Sequence, residues 1–126
     1  MNESANRLFR ILVWLFLIAI FAQLFLAGMV AVAEELKDWS LHAALGHMLA
    51  FILIPMLIIM YVGQASREVK LLTWVLFAVW FVQVYVLVIL LRESMPVASA
   101  LHPVLALIDF WLALRLLGAS KLASAN

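Results

Sequence analysis

The residues that could do chemistry in this chain are two histidines that recur with two glutamines at a fixed spacing. Gln23 precedes His42 by 19 positions, and Gln83 precedes His102 by the same number. The two pairs lie 60 positions apart, and each histidine follows a leucine. A neutral imidazole offers a lone pair to a metal ion, and a side chain next to a ligand can hold that ligand by a hydrogen bond. The spacing therefore predicts that His42 and His102 form a pair of equivalent metal ligands.

The two pairs belong to a longer internal repeat, which relates residues 5–65 to residues 65–125. Its other matched positions hold tryptophans and basic residues: Trp14 with Trp74, Arg7 with Arg67, and Arg10 with Lys70. Each copy contains two apolar segments, so the predicted repeat unit is a helical hairpin. Two such hairpins bring the histidines to matching depths on the second and fourth helices.

Small residues follow both histidines by about one helical turn. Gly46 comes four positions after His42, and Ala106 four positions after His102, on the same helical face. Small side chains there leave space for a flat macrocycle between helices. The predicted cofactor site consists of His42, His102, Gly46, Ala106, Gln23 and Gln83, with the two histidines as the metal ligands. An alternative stays open, in which these residues only make hydrogen bonds between helices.

Two further polar residues have no polar counterpart in the repeat. His47 is turned by about 140° from His42 at about 100° per residue, so it is not predicted as a ligand. Asp109 lies seven positions after His102 and shares its helical face. We expect Asp109 to point into the bundle and to bond to a glutamine or a tyrosine.

The composition is that of a membrane protein. Hydrophobic residues make up 69% of the chain and charged residues 12%, whereas soluble domains have about half and about a quarter. The predicted helices cover about 8–33, 41–63, 71–91 and 98–118, each long enough at about 1.5 Å per residue to cross a hydrocarbon core of about 30 Å. The fold class is therefore predicted as all-α, with residues 1–126 forming one transmembrane domain.

Short connections between the predicted helices set the expected topology. Consecutive helices joined by short loops pack side by side and antiparallel. The prediction is a four-helix up-down-up-down bundle, built from two tandem helical hairpins.

The basic residues predict the orientation of this bundle. Six fall on the side that holds both termini and the middle loop, namely Arg7, Arg10, Arg67, Lys70, Arg115 and Lys121. Only Lys37 and Arg92 fall on the other side. Basic residues concentrate on the cytoplasmic side, so we expect a multi-pass protein of the inner (plasma) membrane with both termini in the cytoplasm.

The remaining composition excludes several classes of site and partner. The chain has no cysteine, which excludes disulfides, zinc–thiolate sites, iron–sulfur clusters and thiol-attached haem. The net charge is +1, with no basic stripe beyond the helix ends, so no nucleic-acid partner is expected.

The repeated glutamine followed by Leu41-His42 and Leu101-His102 resembles each four-helix half of haem A synthase. In that family, histidines of the second and fourth helices of a half ligate one haem, so the resemblance implies the same role for His42 and His102. This chain has Trp39 and Ala43 where that family carries a glutamate and an arginine. The resemblance therefore implies haem binding but does not extend to the oxidation chemistry of that family. The chain is also similar to small uncharacterised four-helix membrane proteins.

Together these features predict a small membrane protein similar to a b-type cytochrome, with one haem b between helices 2 and 4. Two imidazoles leave iron without an open position, which suits electron transfer or a structural haem and not an enzyme acting alone. Lys37 or Arg92 would neutralise the haem propionates. The alternative is a non-catalytic accessory or assembly subunit. The expected partners are the lipid bilayer and another membrane complex or a second copy.

Overall fold

The computed structural model describes residues 1–33 and 38–122, and in these ranges the regular structure is entirely helical. Four helical segments are long and apolar enough to span a membrane: Glu3–Val32, Ser40–Val62, Arg67–Leu90 and Pro96–Lys121. They are called spans 1 to 4 below. The all-α prediction with four long apolar helices is confirmed for the described residues.

Spans 1 and 3 begin before the apolar segments that predicted them. Span 1 starts at Glu3, because the side chain of Asn2 accepts a hydrogen bond from the Ala5 amide at 2.9 Å. Span 3 starts at Arg67, because the Ser66 hydroxyl accepts one from the Val69 amide at 3.3 Å. Such caps satisfy amides that have no partner within the helix. The predicted starts at 8 and 71 mark the edge of the apolar sequence, and the capped polar turns lie outside it.

Spans 2, 3 and 4 each contain an irregularity. Span 2 consists of the α-helices Ser40–Met48 and Ala50–Val62, with Leu49 between them. Span 3 is α-helical over Arg67–Phe81 and continues as a π-helix over Val82–Leu90. Span 4 consists of a short helix, Pro96–Ser99, and a long one, His102–Leu122. The break before the long helix places His102 in its first turn.

The buried core lies in one half of the bundle. Its fully buried members come from the first half of spans 1 and 3 and the second half of spans 2 and 4: Phe9, Val13, Phe16, Leu53, Met56, Met60, Val69, Leu76, Ala113 and Leu116. At the same end, Arg10 donates to the Leu117 carbonyl at 2.9 Å, and the Asn2 amide donates to the Gly63 carbonyl at 3.2 Å. We call this half the packed half. The opposite half contains the predicted site.

Large apolar side chains cover the outside of all four spans. The most exposed include Ile18, Phe25, Phe51, Val62, Leu71, Val97 and Leu107. A soluble monomer rarely exposes an apolar surface of this extent. This surface needs an apolar environment.

Candidate functional site

A cavity of about 470 Å³ opens between the spans in the half opposite the packed half. All six residues of the predicted site line it: His42, His102, Gly46, Ala106, Gln23 and Gln83. Most of the other lining residues are aliphatic, among them Ile20, Leu24 and Val84. The six predicted residues thus line one cavity in the structure. Their role as ligands stays a prediction.

The start of span 2 is set by Asp38, and this start positions His42. The Asp38 carboxylate accepts hydrogen bonds from the Ser40 amide and the Ser40 hydroxyl, both at 2.8 Å. These bonds, the one from the amide above all, lower the pKa of the Asp38 carboxyl. The carboxylate remains exposed outside the span. His42 follows two residues after Ser40 and turns toward the cavity.

Both histidines make the same hydrogen bond to the repeat-equivalent residue. Nδ1 of His42 lies 3.2 Å from the carbonyl oxygen of Gln23, and Nδ1 of His102 lies 3.2 Å from that of Gln83. A carbonyl can only accept, so each Nδ1 must carry the proton and donate. This tautomer leaves Nε2 of each ring with its lone pair. Histidines that bind metals are usually held in this way by their other nitrogen.

The two imidazole rings lie close together in the lining of the cavity, in an edge-to-face arrangement. Their centroids are 6.0 Å apart, and their planes meet at 68°. Two nitrogens bound at about 2 Å on opposite sides of one metal ion put their ring centroids about 6 Å apart. The spacing therefore suits a single metal ion between the rings.

The glutamines support the histidines through their backbone carbonyls, and a role of their side chains at a bound ligand stays a prediction. The histidines bond to the backbone carbonyls of Gln23 and Gln83 and not to their amides. Both Oε1 atoms are buried and have no hydrogen-bond partner among the described residues. The 19-position gap could have indicated this backbone bond, but the sequence pattern drew attention to the amide.

Gly46 makes room for a neighbouring side chain. A Cβ atom at this position would lie 2.9 Å from Nε2 of Gln23. The carbonyl of Gly46 also accepts a hydrogen bond from Trp80 Nε1 at 3.0 Å, which joins span 3 to span 2. Gly46 was predicted to leave space for a macrocycle. In the structure it borders the cavity, but the Gln23 amide occupies the space beside it.

Gln83 and Asp109 form a buried pair that has no equivalent in the first repeat. Asp109 is fully buried, and its Oδ2 accepts a hydrogen bond from Gln83 Nε2. Its Oδ1 has no partner among the described residues. Leu49, the residue that matches Asp109, is buried and apolar. The predicted bond from Asp109 to a glutamine is confirmed.

The mouth of the cavity contains residues that the repeat did not single out. Trp39 stands edge-on to His42 with centroids 5.4 Å apart, and Arg92 lines the cavity as well. Lys37, the other basic residue predicted to neutralise the propionates, lies outside the described residues.

His47 also lines the cavity, but its Nδ1 donates to the Ala43 carbonyl at 2.7 Å and its ring contacts Tyr85.

Within residues 1–33 and 38–122, no group of three or more histidine, cysteine, aspartate or glutamate side chains is arranged to hold a metal ion. The imidazole pair offers two donors. A bare zinc ion in a protein usually takes three or four protein ligands. The imidazole pair by itself therefore offers fewer donors than such a zinc site uses.

The fold and the cavity define a class, a small four-helix protein with a histidine-lined pocket in one half. The model of the DUF6220 family, a family of unknown function, matches residues 23–89, more than half of the chain. The chain therefore belongs to the DUF6220 family. The match contains Gln23, His42 and Gln83 and ends before His102. No curated protein and no solved structure matches the chain.

Proposed function

We propose that this protein is a small membrane protein of the b-type cytochrome kind that holds one haem b between spans 2 and 4. The observation that carries the proposal is the paired geometry of His42 and His102. Their rings are 6.0 Å apart, and each Nδ1 bonds to a repeat-equivalent carbonyl. The resemblance to haem A synthase points to the same ligands.

The donor set and the cavity fit a porphyrin. The macrocycle supplies four nitrogens to its iron, so the two imidazoles complete the coordination without further protein ligands. The cavity of about 470 Å³ falls within the usual size of cofactor pockets and is mainly apolar. With two imidazole ligands, bound haem would take up and release single electrons rather than bind oxygen.

We propose that all four spans cross the plasma membrane in an up-down-up-down arrangement. Their length, their hydropathy and their exposed apolar side chains support insertion. The contact of Arg10 with Leu117 and Ser120, together with the contact of Phe21 with Phe110, supports antiparallel spans 1 and 4.

The proposed orientation has both termini in the cytoplasm. It follows from the sequence, which has six basic residues near the termini and the middle loop against Lys37 and Arg92 in the other two connections. The cavity then opens toward the outer surface of the membrane. Electron exchange would take place with a partner on that side or within the bilayer.

The direct test is an absorption spectrum of the protein purified in detergent after expression with haem supplementation. The expected result is a Soret band and, after reduction with dithionite, a sharp α-band typical of low-spin haem with two histidine ligands. A protein that stays colourless and does not take up added haem would contradict the proposal.

A second candidate function is a non-catalytic accessory subunit of a larger membrane complex. One observation favours it: the bonds of His42 to Gln23 and of His102 to Gln83 join span 2 to span 1 and span 4 to span 3 without any cofactor. In that case the histidines hold the hairpins together, and the exposed apolar surface contacts other subunits. A colourless protein that copurifies with a defined membrane complex would support this function.

A further inference from the structure

Arg92 is the one arginine or lysine among the residues that line the cavity in the described chain. It follows the π-helix of span 3, is exposed, and makes no hydrogen bond or ion pair with any other described residue. Two arginines of the packed half do have partners: Arg10 donates to the Leu117 carbonyl and to Ser120, and Arg115 lies 3.5 Å from Glu68. What sets Arg92 apart is its place on the cavity wall.

The charge at Arg92 breaks the two-fold relation of the site. The matching residue in the first repeat is Val32, which is 85% exposed and apolar. Among the described residues that line the cavity, the two histidines make equivalent hydrogen bonds, whereas the charge of Arg92 has no counterpart at the matching position. Such an asymmetry would distinguish the two edges of a ligand held between the histidines.

We propose that Arg92 binds an acidic group on the edge of the pocket ligand and so fixes the orientation of that ligand. The inference rests on the proposed haem function, in which the acidic groups are the two propionates. A guanidinium donates two parallel hydrogen bonds to one carboxylate, which gives direction as well as attraction. Arg92 would then hold the acidic edge of the ligand at the end of span 3, and the opposite, apolar edge would lie inside the bundle.

The test compares haem b with its dimethyl ester, in which both carboxylates are neutral. The full-length protein in detergent, freed of haem, is titrated with each compound at low ionic strength, and the dissociation constant is measured from the Soret absorbance. The variants are Arg92→Gln, Arg92→Lys, and Arg115→Gln as a matched control at the other end of the bundle. The circular-dichroism spectrum verifies that each variant is helical.

We expect Arg92→Gln to weaken haem binding by about two- to fivefold, because Arg92 is exposed and its charge is screened by water. Binding of the dimethyl ester should be unchanged in this variant, Arg92→Lys should recover part of the affinity for haem, and Arg115→Gln should change neither. If Arg92→Gln binds both compounds like the parent protein, or weakens both equally, the role of Arg92 is wrong while haem binding stands. If the parent protein binds neither compound, the proposed function and this inference are both overturned.

Discussion

At the scale of single residues, the site depends on which nitrogen of each imidazole carries the proton. The carbonyl oxygens of Gln23 and Gln83 lie 3.2 Å from the Nδ1 atoms and require a proton there. In the neutral ring this leaves Nε2 as the nitrogen with the lone pair. A ligand that binds through a metal ion would use Nε2 of both rings, since each Nδ1 already donates to a carbonyl.

Replacement of either His42 or His102 by alanine should abolish low-spin haem binding, since one imidazole cannot complete the coordination. The measurement is the reduced-minus-oxidised spectrum of each purified variant. His47→Ala is the control, because its ring contacts Tyr85 and its Nδ1 is bonded within its own helix. Wild-type spectra in both His42→Ala and His102→Ala would exclude these residues as ligands.

Gly46→Ala should gain less stability in detergent than a matched glycine replacement, because the new Cβ would lie 2.9 Å from the Gln23 amide, which must then move. Alanine is favoured over glycine in a helix by about 1 kcal/mol, and displacement of the amide offsets part of that gain. The matched control is Gly28→Ala in span 1, where a Cβ has nothing within 4 Å. The midpoint of thermal unfolding should rise less for Gly46→Ala than for Gly28→Ala. Equal midpoints for both variants would show that Gly46 is not tightly packed.

At the scale of the helical elements, the sequence predicts the spans but not their irregularities. Four apolar segments of about 20 residues each satisfy their own backbone hydrogen bonds only as helices. The presence of four helices therefore follows from the composition. The π-helix over Val82–Leu90 could not be predicted, because Phe81-Val82-Gln83 closely resembles Phe21-Ala22-Gln23, which is ordinary α-helix. Two tertiary contacts distinguish this segment from its first-repeat counterpart: the Gln83–Asp109 bond and the bond from Ser99 Oγ to the Leu87 carbonyl.

The Gln83–Asp109 bond joins span 3 to span 4, and its loss should show in a double-mutant cycle. Asp109→Leu copies the first repeat but leaves the buried Gln83 amide without its acceptor, at a cost of about 1–3 kcal/mol. Adding Gln83→Leu removes the unsatisfied amide and should restore part of the stability. The free energy of unfolding in mixed detergent gives all four corners of the cycle. Strictly additive costs would mean that the two side chains do not interact.

At the scale of the whole molecule, the bundle is divided into a packed half and a half with the cavity. The sequence predicts which residues would come together at the cavity, because the repeat places His42 and His102 at equal depth. It could not predict which half is packed, since aliphatic side chains fill both halves of every span. That division results from the fit of particular large side chains, such as Phe9, Phe16 and Met56. Periodicity and composition do not contain this information.

The proposed topology predicts the location of the chain ends. A reporter that requires the cytoplasm should be active when fused after Asn126, because the basic residues at that end are retained on the cytoplasmic side. Fusion after Ser94, in the connection between spans 3 and 4, should give an inactive reporter. An exported reporter such as alkaline phosphatase should give the reverse pattern. The reverse result for both fusions would contradict the orientation.

The bond from each histidine to a backbone carbonyl has a consequence for how far the two halves of this chain can differ in sequence. A carbonyl is available from any amino acid, so substitution of Gln23 or Gln83 leaves the acceptor of the histidine in place. The hydrogen bond to the histidine therefore leaves both amides free to contact separate partners. They do so here, since one amide packs against Gly46 and the other donates to Asp109. The two halves thus share the backbone support of the histidine and differ in what the glutamine side chain stabilises.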